Sequence, residues 1–237
     1  MITRHAGRAL DALRPITIET GFQKHADGSV LIRWGETHVL CSVTVENRVP
    51  PHRISSGGGW LTAEYGMLPA STNTRMRRDR ARKAGRTAEI QRLIGRSLRA
   101  VVDLDKLEPR TYYVDCDVIQ ADGGTRCASI TGAWIALALA RAEGRTLRAL
   151  PPPVAAVSIG IKNGVVLTDL DYPEDSSADV DLNYVATEGG IVEIQGTAEG
   201  KTFTPGQLNE MVRHGQQACA QLFELQRAAV IAAGVHP

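Results

Sequence analysis

The sequence predicts an α/β chain of the α+β type, with mixed, largely antiparallel sheets and packed helices, because apolar runs of strand length come as neighbours. Their order is strands, helix, strand, helix, strands, helix. A doubly wound parallel fold would alternate strand and helix throughout. Asn163-Gly164, set between two apolar runs, is the strongest short hairpin signal in the chain.

Three strand-like runs open the sequence: Ile16 to Phe22, Ser29 to Trp34 and His38 to Val45, with a tight turn expected at Asp27-Gly28. After a glycine-rich stretch at Ser55 to Gly59, Trp60 to Leu68 reads as extended. From about Thr87 to Val101 the residues Ile90, Leu93, Ile94, Ser97, Leu98 and Val101 share one helical face, with Arg92, Arg96 and Arg99 off it. Tyr112 to Ile119 alternates as a strand. The turn Ala121-Asp122-Gly123-Gly124 then leads to Thr125, expected to cap an alanine-rich helix that reaches about Glu143.

Pro151 to Pro153 break the chain before Val154 to Lys162 and Val165 to Leu170, the two arms of the Asn163-Gly164 hairpin. A second strand pair, Val180 to Thr187 and Ile191 to Thr197, turns at Gly189-Gly190. Thr204-Pro205-Gly206-Gln207 combines an N-cap, a proline at the first helical position and a capping-box partner. The helix it starts carries Leu208, Met211, Val212, Cys219, Leu222 and Phe223 in a stripe and ends near Gly234. Residues 1–237 are expected to form one domain.

With 43% hydrophobic and 22% charged residues among 237, the composition is globular and excludes a disordered chain. The four cysteines are far apart and form no CxxC pair, which favours a reducing, cytoplasmic setting. No apolar stretch opens the chain, and none approaches the roughly 20 residues that span a bilayer, so no membrane partner is expected.

The formal charge of +1 conceals a sharp asymmetry. Arg75, Arg77, Arg78, Arg80, Arg82, Lys83 and Arg86 fall within twelve residues against the single acid Asp79, a local +6 that leaves −5 elsewhere. Such a cluster repels itself, and a solvated loop gains nothing from it. Phosphate neutralisation and counterion release give it a purpose, and Arg92, Arg96 and Arg99 extend it along the next helix. Charge does not choose between DNA, RNA and protein partners.

Gly123-Gly124-Thr125-Arg126 joins a strand to a helix. Glycines allow backbone amides to approach an anion, the helix start supplies unpaired N–H groups, and Thr125 and Arg126 add donors. Neither the GxxxxGK[ST] phosphate loop nor the GxGxxG fingerprint is present. An ordinary turn and helix cap is the plain alternative. Arg126 early in a helix opposes the usual preference for acids there, a mismatch that a bound anion resolves.

Asp169, Asp171, Glu174, Asp175, Asp179 and Asp181 lie within thirteen residues that contain no histidine. Oxygen ligands of this kind suit Mg²⁺ or Mn²⁺ and not zinc. Asp169 and Asp171 read equally as solvent-facing turn or strand-end residues, while Asp179 and Asp181 alternate in an extended segment and should share a face.

Several motifs together resemble the ribonuclease PH family. They are Gly7-Arg8-Ala9-Leu10-Asp11-Ala12-Leu13-Arg14-Pro15, Trp60-Leu61-Thr62-Ala63-Glu64-Tyr65-Gly66-Met67-Leu68-Pro69, Arg86 to Arg99, Asp115 to Gly132, and Glu174 to Asn183, in family order. The resemblance implies a ribosomal protein S5 domain 2-like fold assembled as a homo-oligomer, a hexameric ring of dimers. It implies that Arg86, Gly124, Thr125 and Arg126 bind inorganic phosphate as co-substrate, and that Asp175 and Asp181 hold the divalent metal and act in catalysis with Arg126. Asp179 and Asn183 are secondary candidates. The loop Arg75, Arg77, Arg78, Arg80, Arg82 and Lys83 and the helix positions Arg92, Arg96 and Arg99 correspond to RNA-binding regions. Ile119, Cys127 and Tyr184 depart from the usual family residues, and none of them removes a proposed phosphate or metal group.

The function so implied is a phosphorolytic 3′-to-5′ exoribonuclease acting on tRNA precursors, with Mg²⁺, or Mn²⁺ in its place, and with reverse nucleotide addition open to it. A metal-dependent hydrolytic RNase would keep the acids and the basic loop without needing an attacking phosphate. A non-catalytic RNA-binding ring subunit would need the basic loop alone.

Overall fold

The computed structural model describes residues 4–78, 85–142, 150–200 and 202–235. One sheet comprises β1 (Ile16–Thr20), β2 (Gly28–Trp34), β3 (Thr37–Glu46), β4 (Trp60–Met67) and β5 (Thr111–Gln120), in the order β1-β2-β3-β5-β4. The other comprises β6 (Val154–Lys162), β7 (Val165–Thr168), β8 (Val180–Thr187) and β9 (Gly190–Ala198), in the order β7-β6-β8-β9. The helices are α1 (Pro51–Ile54), α2 (Gly85–Arg99), α3 (Thr125–Ala142), α4 (Tyr172–Asp175) and α5 (Pro205–Ala232).

Among the described residues six of the seven strand pairings are antiparallel, as the element order predicts. The exception is β4 beside β5, which run parallel. Parallel neighbours need a long crossover, and α2 lies within it, packed on β4.

Helix α3 is central. Ala133, Trp134, Ile135, Ala136, Leu137 and Ala138 are all 0% exposed, so no face of this stretch meets water. A helix apolar all round belongs in a core, and α3 packs against β2 and β3 of one sheet and β6 of the other. Burying each large side chain here contributes about 1.5–3 kcal/mol. The Gln226 amide of α5 donates to the carbonyls of Thr131 and Val154, both at 2.9 Å, tying α5 to α3 and β6. No helix among the described residues is long and apolar enough to cross a membrane.

The Asn163-Gly164 hairpin forms as expected, with φ of +50° and +75° at the two turn residues. The Thr204 capping box also forms: Gln207 N–H donates to Thr204 Oγ1 at 3.2 Å, and Thr204 N–H to Gln207 Oε1 at 2.8 Å. The turn at Asp27-Gly28 does not. Strand β1 ends at Thr20, and Gly28 already belongs to β2. Asp27 is held instead by β3, donating to Val43 O at 2.9 Å and accepting the Val45 N–H at 2.8 Å. Gly28 serves packing, because a Cβ there would stand 2.2 Å from the Ala136 carbonyl oxygen of α3. Tyr184 fits because Gly215 faces it: a Cβ on Gly215 would come within 2.5 Å of the ring.

Candidate active site

The turn after β5 brings the chain to α3 through Gly123 and Gly124, at φ +75° and +66°, where side chains are strained. Thr125 is the first helical residue, so it is not the N-cap the sequence suggests. Its hydroxyl lies 2.9 Å from the Tyr65 hydroxyl of β4. The amides of Thr125, Arg126 and Cys127 open the helix without carbonyls one turn back inside it.

Arg126 points across the first turn. Its Nη1 donates to Gln195 Oε1 of β9 at 3.0 Å and lies 3.8 Å from Glu89 Oε1 of α2. Gln195 Nε2 donates to the same Glu89 oxygen at 2.8 Å, so three elements meet at one guanidinium. Arg86, exposed in the first turn of α2, joins the group electrostatically: with Arg126 it favours the charged forms of Asp175, Asp181 and the Tyr65 phenol.

Asp175 ends α4 and Asp181 is the second residue of β8. Burial raises both carboxyls. Asp181 is pushed up to about 6, by burial first and by the Asp175 charge next, against the opposing pull of Arg126 and Arg86. Asp181 Oδ1 is buried and has no hydrogen-bond partner among the described residues. An orphaned carboxylate oxygen beside a second acid is costly unless a cation completes it. Among the described residues no cluster of three or more His, Cys, Asp or Glu could hold a metal. Two carboxylates nevertheless fit Mg²⁺, which takes one or two together with water and substrate phosphate oxygens.

The remaining acids have other tasks. Asp169 and Asp171 do not face solvent: they are 1% and 4% exposed, and Glu174 is 7% exposed. Each serves an arginine or a helix cap. Arg4 pairs with Glu174 through Nε at 2.7 Å and Nη2 at 2.8 Å, and Arg8 adds a contact at 3.0 Å. Arg14 meets Asp169 through Nη2 at 2.7 Å and Nε at 3.1 Å. Asp171 caps α4, accepting the Glu174 N–H at 2.9 Å. Asp179 accepts the Asn163 N–H at 2.8 Å and so secures the hairpin turn. Asn183 is buried, with Oδ1 3.4 Å from Cys127 Sγ, which keeps it beside the first turn of α3.

Of the basic positions, Arg75, Arg77, Arg78 and Arg92 are exposed. Arg96 pairs with Glu193 at 2.6 Å. Arg99 is committed to the fold: it donates to Leu61 O at 3.0 Å and lies 5.1 Å from the Trp60 ring centroid. Arg80, Arg82 and Lys83 lie outside the described residues.

Tyr65, Glu89, Gln195 and Arg14 were not singled out by their sequence patterns. Tyr65 had a signal: Leu61, Ala63 and Tyr65 alternate inward on β4, and a buried phenol needs a polar partner. Gln195 had none, because only the register of β9 on β8, with Asn183 opposite Gln195, brings it here.

A glycine turn into α3, with Arg126 and Arg86 in electrostatic reach of Asp175 and Asp181 where α3 packs against both sheets, sits in an S5 domain 2-like fold. Two family models match the chain, "3′ exoribonuclease family, domain 1" over residues 12–143 and "domain 2" over residues 152–218. Ribonuclease PH of Rhodospirillum rubrum is 56% identical over 235 residues, covering 96% of this chain and 98% of that protein. Ribonuclease PH of Roseobacter denitrificans is 54% identical over 234 residues, covering 95% and 99%. The chain belongs to the ribonuclease PH family of 3′ exoribonucleases. Its fold is shared more widely. An Archaeoglobus fulgidus exosome structure with RNA bound superposes with a TM-score of 0.81 at 22% identity, covering 93% of this chain and 91% of that one. Rice Rrp46 gives 0.79 at 17% identity, covering 96% and 100%.

Proposed function

We propose that this chain is a phosphorolytic 3′-to-5′ exoribonuclease that trims 3′ extensions of tRNA precursors and releases nucleoside 5′-diphosphates. The observation that carries this reading is the pair of arginines, Arg86 and Arg126, acting together on Asp175 and Asp181 beside the start of α3. Cations for an attacking anion and acids for a metal belong to the same centre.

An oxygen of inorganic phosphate attacks the phosphorus of the 3′-terminal phosphodiester. The bond to the 3′ oxygen of the preceding nucleotide breaks, that oxygen takes a proton, and the terminal nucleoside leaves as its 5′-diphosphate. Run backwards, the same steps add a nucleotide. Gly124, the amides after it, the Thr125 hydroxyl, Arg126 and Arg86 hold the attacking phosphate and offset its repulsion from the RNA. Asp175 and Asp181 would hold Mg²⁺, or Mn²⁺ in its place, which when bound supplies Lewis-acid charge to the scissile phosphate. Gln195 and Glu89 fix one edge of Arg126, leaving its other donors for the anion.

Arg75, Arg77, Arg78, Arg80, Arg82 and Lys83 grip the RNA backbone, with Arg92 on α2. The acting form is a homo-oligomer, a hexameric ring of dimers, in which several subunits share the tRNA body. A cytoplasmic setting agrees with four free, buried cysteines.

The test is to incubate purified protein with 3′-extended tRNA and Mg²⁺, with and without phosphate. Diphosphates formed only with phosphate support the proposal. Monophosphates formed without it indicate hydrolysis, and intact RNA in both arms leaves an RNA-binding ring subunit.

A further inference from the structure

The peptides that precede Thr125 are oriented from behind. Arg14 Nη1 donates to the Asp122 carbonyl, and Nη2 lies 3.4 Å from the Gly123 carbonyl. The Thr37 hydroxyl donates to the same Gly123 oxygen at 2.6 Å and accepts the Asp122 N–H at 2.9 Å. Both side chains are buried, Arg14 at 7% and Thr37 at 0% exposure. In a trans peptide the C=O of one residue and the N–H of the next point in opposite directions, and no cis bond occurs among the described residues. Drawing the Asp122 and Gly123 carbonyls inward therefore turns the Gly123 and Gly124 N–H groups away from Arg14. Among the described residues neither amide donates to a protein group.

The other side of the same guanidinium grips Asp169, which the Arg14 backbone N–H at 2.6 Å and Trp34 Nε1 at 2.9 Å also bind. Asp169 stands at φ +58°, two residues before the Asp171 cap of α4. A strained, buried acid persists only where its surroundings over-determine it. Arg14 thus lies between the glycine turn that starts α3 and the segment that carries Asp175.

The geometry points to Arg14 as a positioning residue for phosphate: it sets the two peptide planes so that the Gly123 and Gly124 amides are presented to the attacking anion. This rests on the reading of the α3 start as the phosphate site. Lysine in its place keeps the charge and can keep an ion pair with Asp169. It lacks the planar fork that reaches the acid and two carbonyls at once. Thr37 carries the second, independent part of the brace, and valine there exchanges the hydroxyl for a methyl of similar size.

The measurement is calorimetric affinity for inorganic phosphate of the full chain as wild type, R14K and T37V, alongside KM for phosphate, KM for RNA and thermal midpoint. Both variants are expected to bind phosphate on the order of tenfold more weakly, the scale of losing about one well-aimed hydrogen bond to a charged group. KM for phosphate should rise while KM for RNA holds. Phosphate affinity within twofold of wild type in the folded variants, with only the midpoint lowered, overturns the inference. Should R14K fail to fold, T37V decides alone by the same criterion. Wild type that binds phosphate but releases no diphosphate refutes the proposed function and leaves this comparison valid. Wild type that binds no phosphate refutes both.

Discussion

The Tyr65 and Thr125 hydroxyls lie 2.9 Å apart, and both side chains are buried, at 4% and 8% exposure. Burial raises the phenol pKa, so it stays protonated and can donate to Thr125 Oγ1. The Thr125 proton is then free for an anion. Y65F should raise KM for phosphate about three- to tenfold and cost about 1 kcal/mol of stability, the worth of one such bond. Steady-state kinetics against phosphate and a denaturant titration measure the two effects, and an unchanged KM removes Tyr65 from the site.

Arg126 is expected to matter more for phosphate than for RNA. R126A should lower kcat/KM for phosphate by about a hundredfold or more, the scale of losing a transition-state donor. RNA affinity measured without phosphate should stay within a few-fold. Equal losses in both would place Arg126 on the RNA path instead.

Asp181 sets function against stability. Its folded pKa of about 6 lies above the usual 3.8, so the folded chain holds this proton more tightly than the unfolded one. The group therefore favours folding at low pH, and that benefit is lost as pH rises from about 4 through about 6. D181N should stabilise the metal-free protein at neutral pH by up to about 3 kcal/mol, from the value of one pKa unit, while activity falls by about 10³ or more. Denaturation at several pH values checks the sign.

Protons and metal should compete for the same carboxylates. At limiting Mg²⁺ the activity is expected to fall as pH drops through about 6, where Asp181 takes up its proton. Excess Mg²⁺ should move that fall to lower pH. A profile indifferent to Mg²⁺ concentration would separate the acid pair from the metal.

The helix arginines should separate cleanly. R92A should weaken RNA binding and reduce the salt slope by about 1. R99A should cost about 1–2 kcal/mol of stability, because Arg99 is bound to Leu61 and Trp60, and leave RNA affinity within twofold.

Local signals proved readable where one short stretch of chain decides the outcome. The Asn163-Gly164 turn needs two positive φ angles and the Thr204 cap needs a glutamine three residues on, and both are visible in the letters. Asp27-Gly28 misled because the same dipeptide chemistry was captured by β3, a partner sixteen or more residues away. The acidic stretch shows the same limit. Its density was plain, but which acids were committed to structure depended on Arg4, Arg8 and Arg14, more than 150 residues earlier. Asp181 stands out only once that sorting is done, as the acid among the described residues whose buried oxygen has no partner.

The enclosure of α3 has a consequence for how the protein opens. Its middle turns are shielded on every side, so their amides have no route to solvent short of global unfolding, and Ala133 to Ala138 should be among the slowest to exchange hydrogen. The candidate phosphate site lies at the end of this same helix. A ligand there binds only the folded state, so added phosphate should slow exchange deep in the core, with protection growing as the logarithm of phosphate concentration above its dissociation constant.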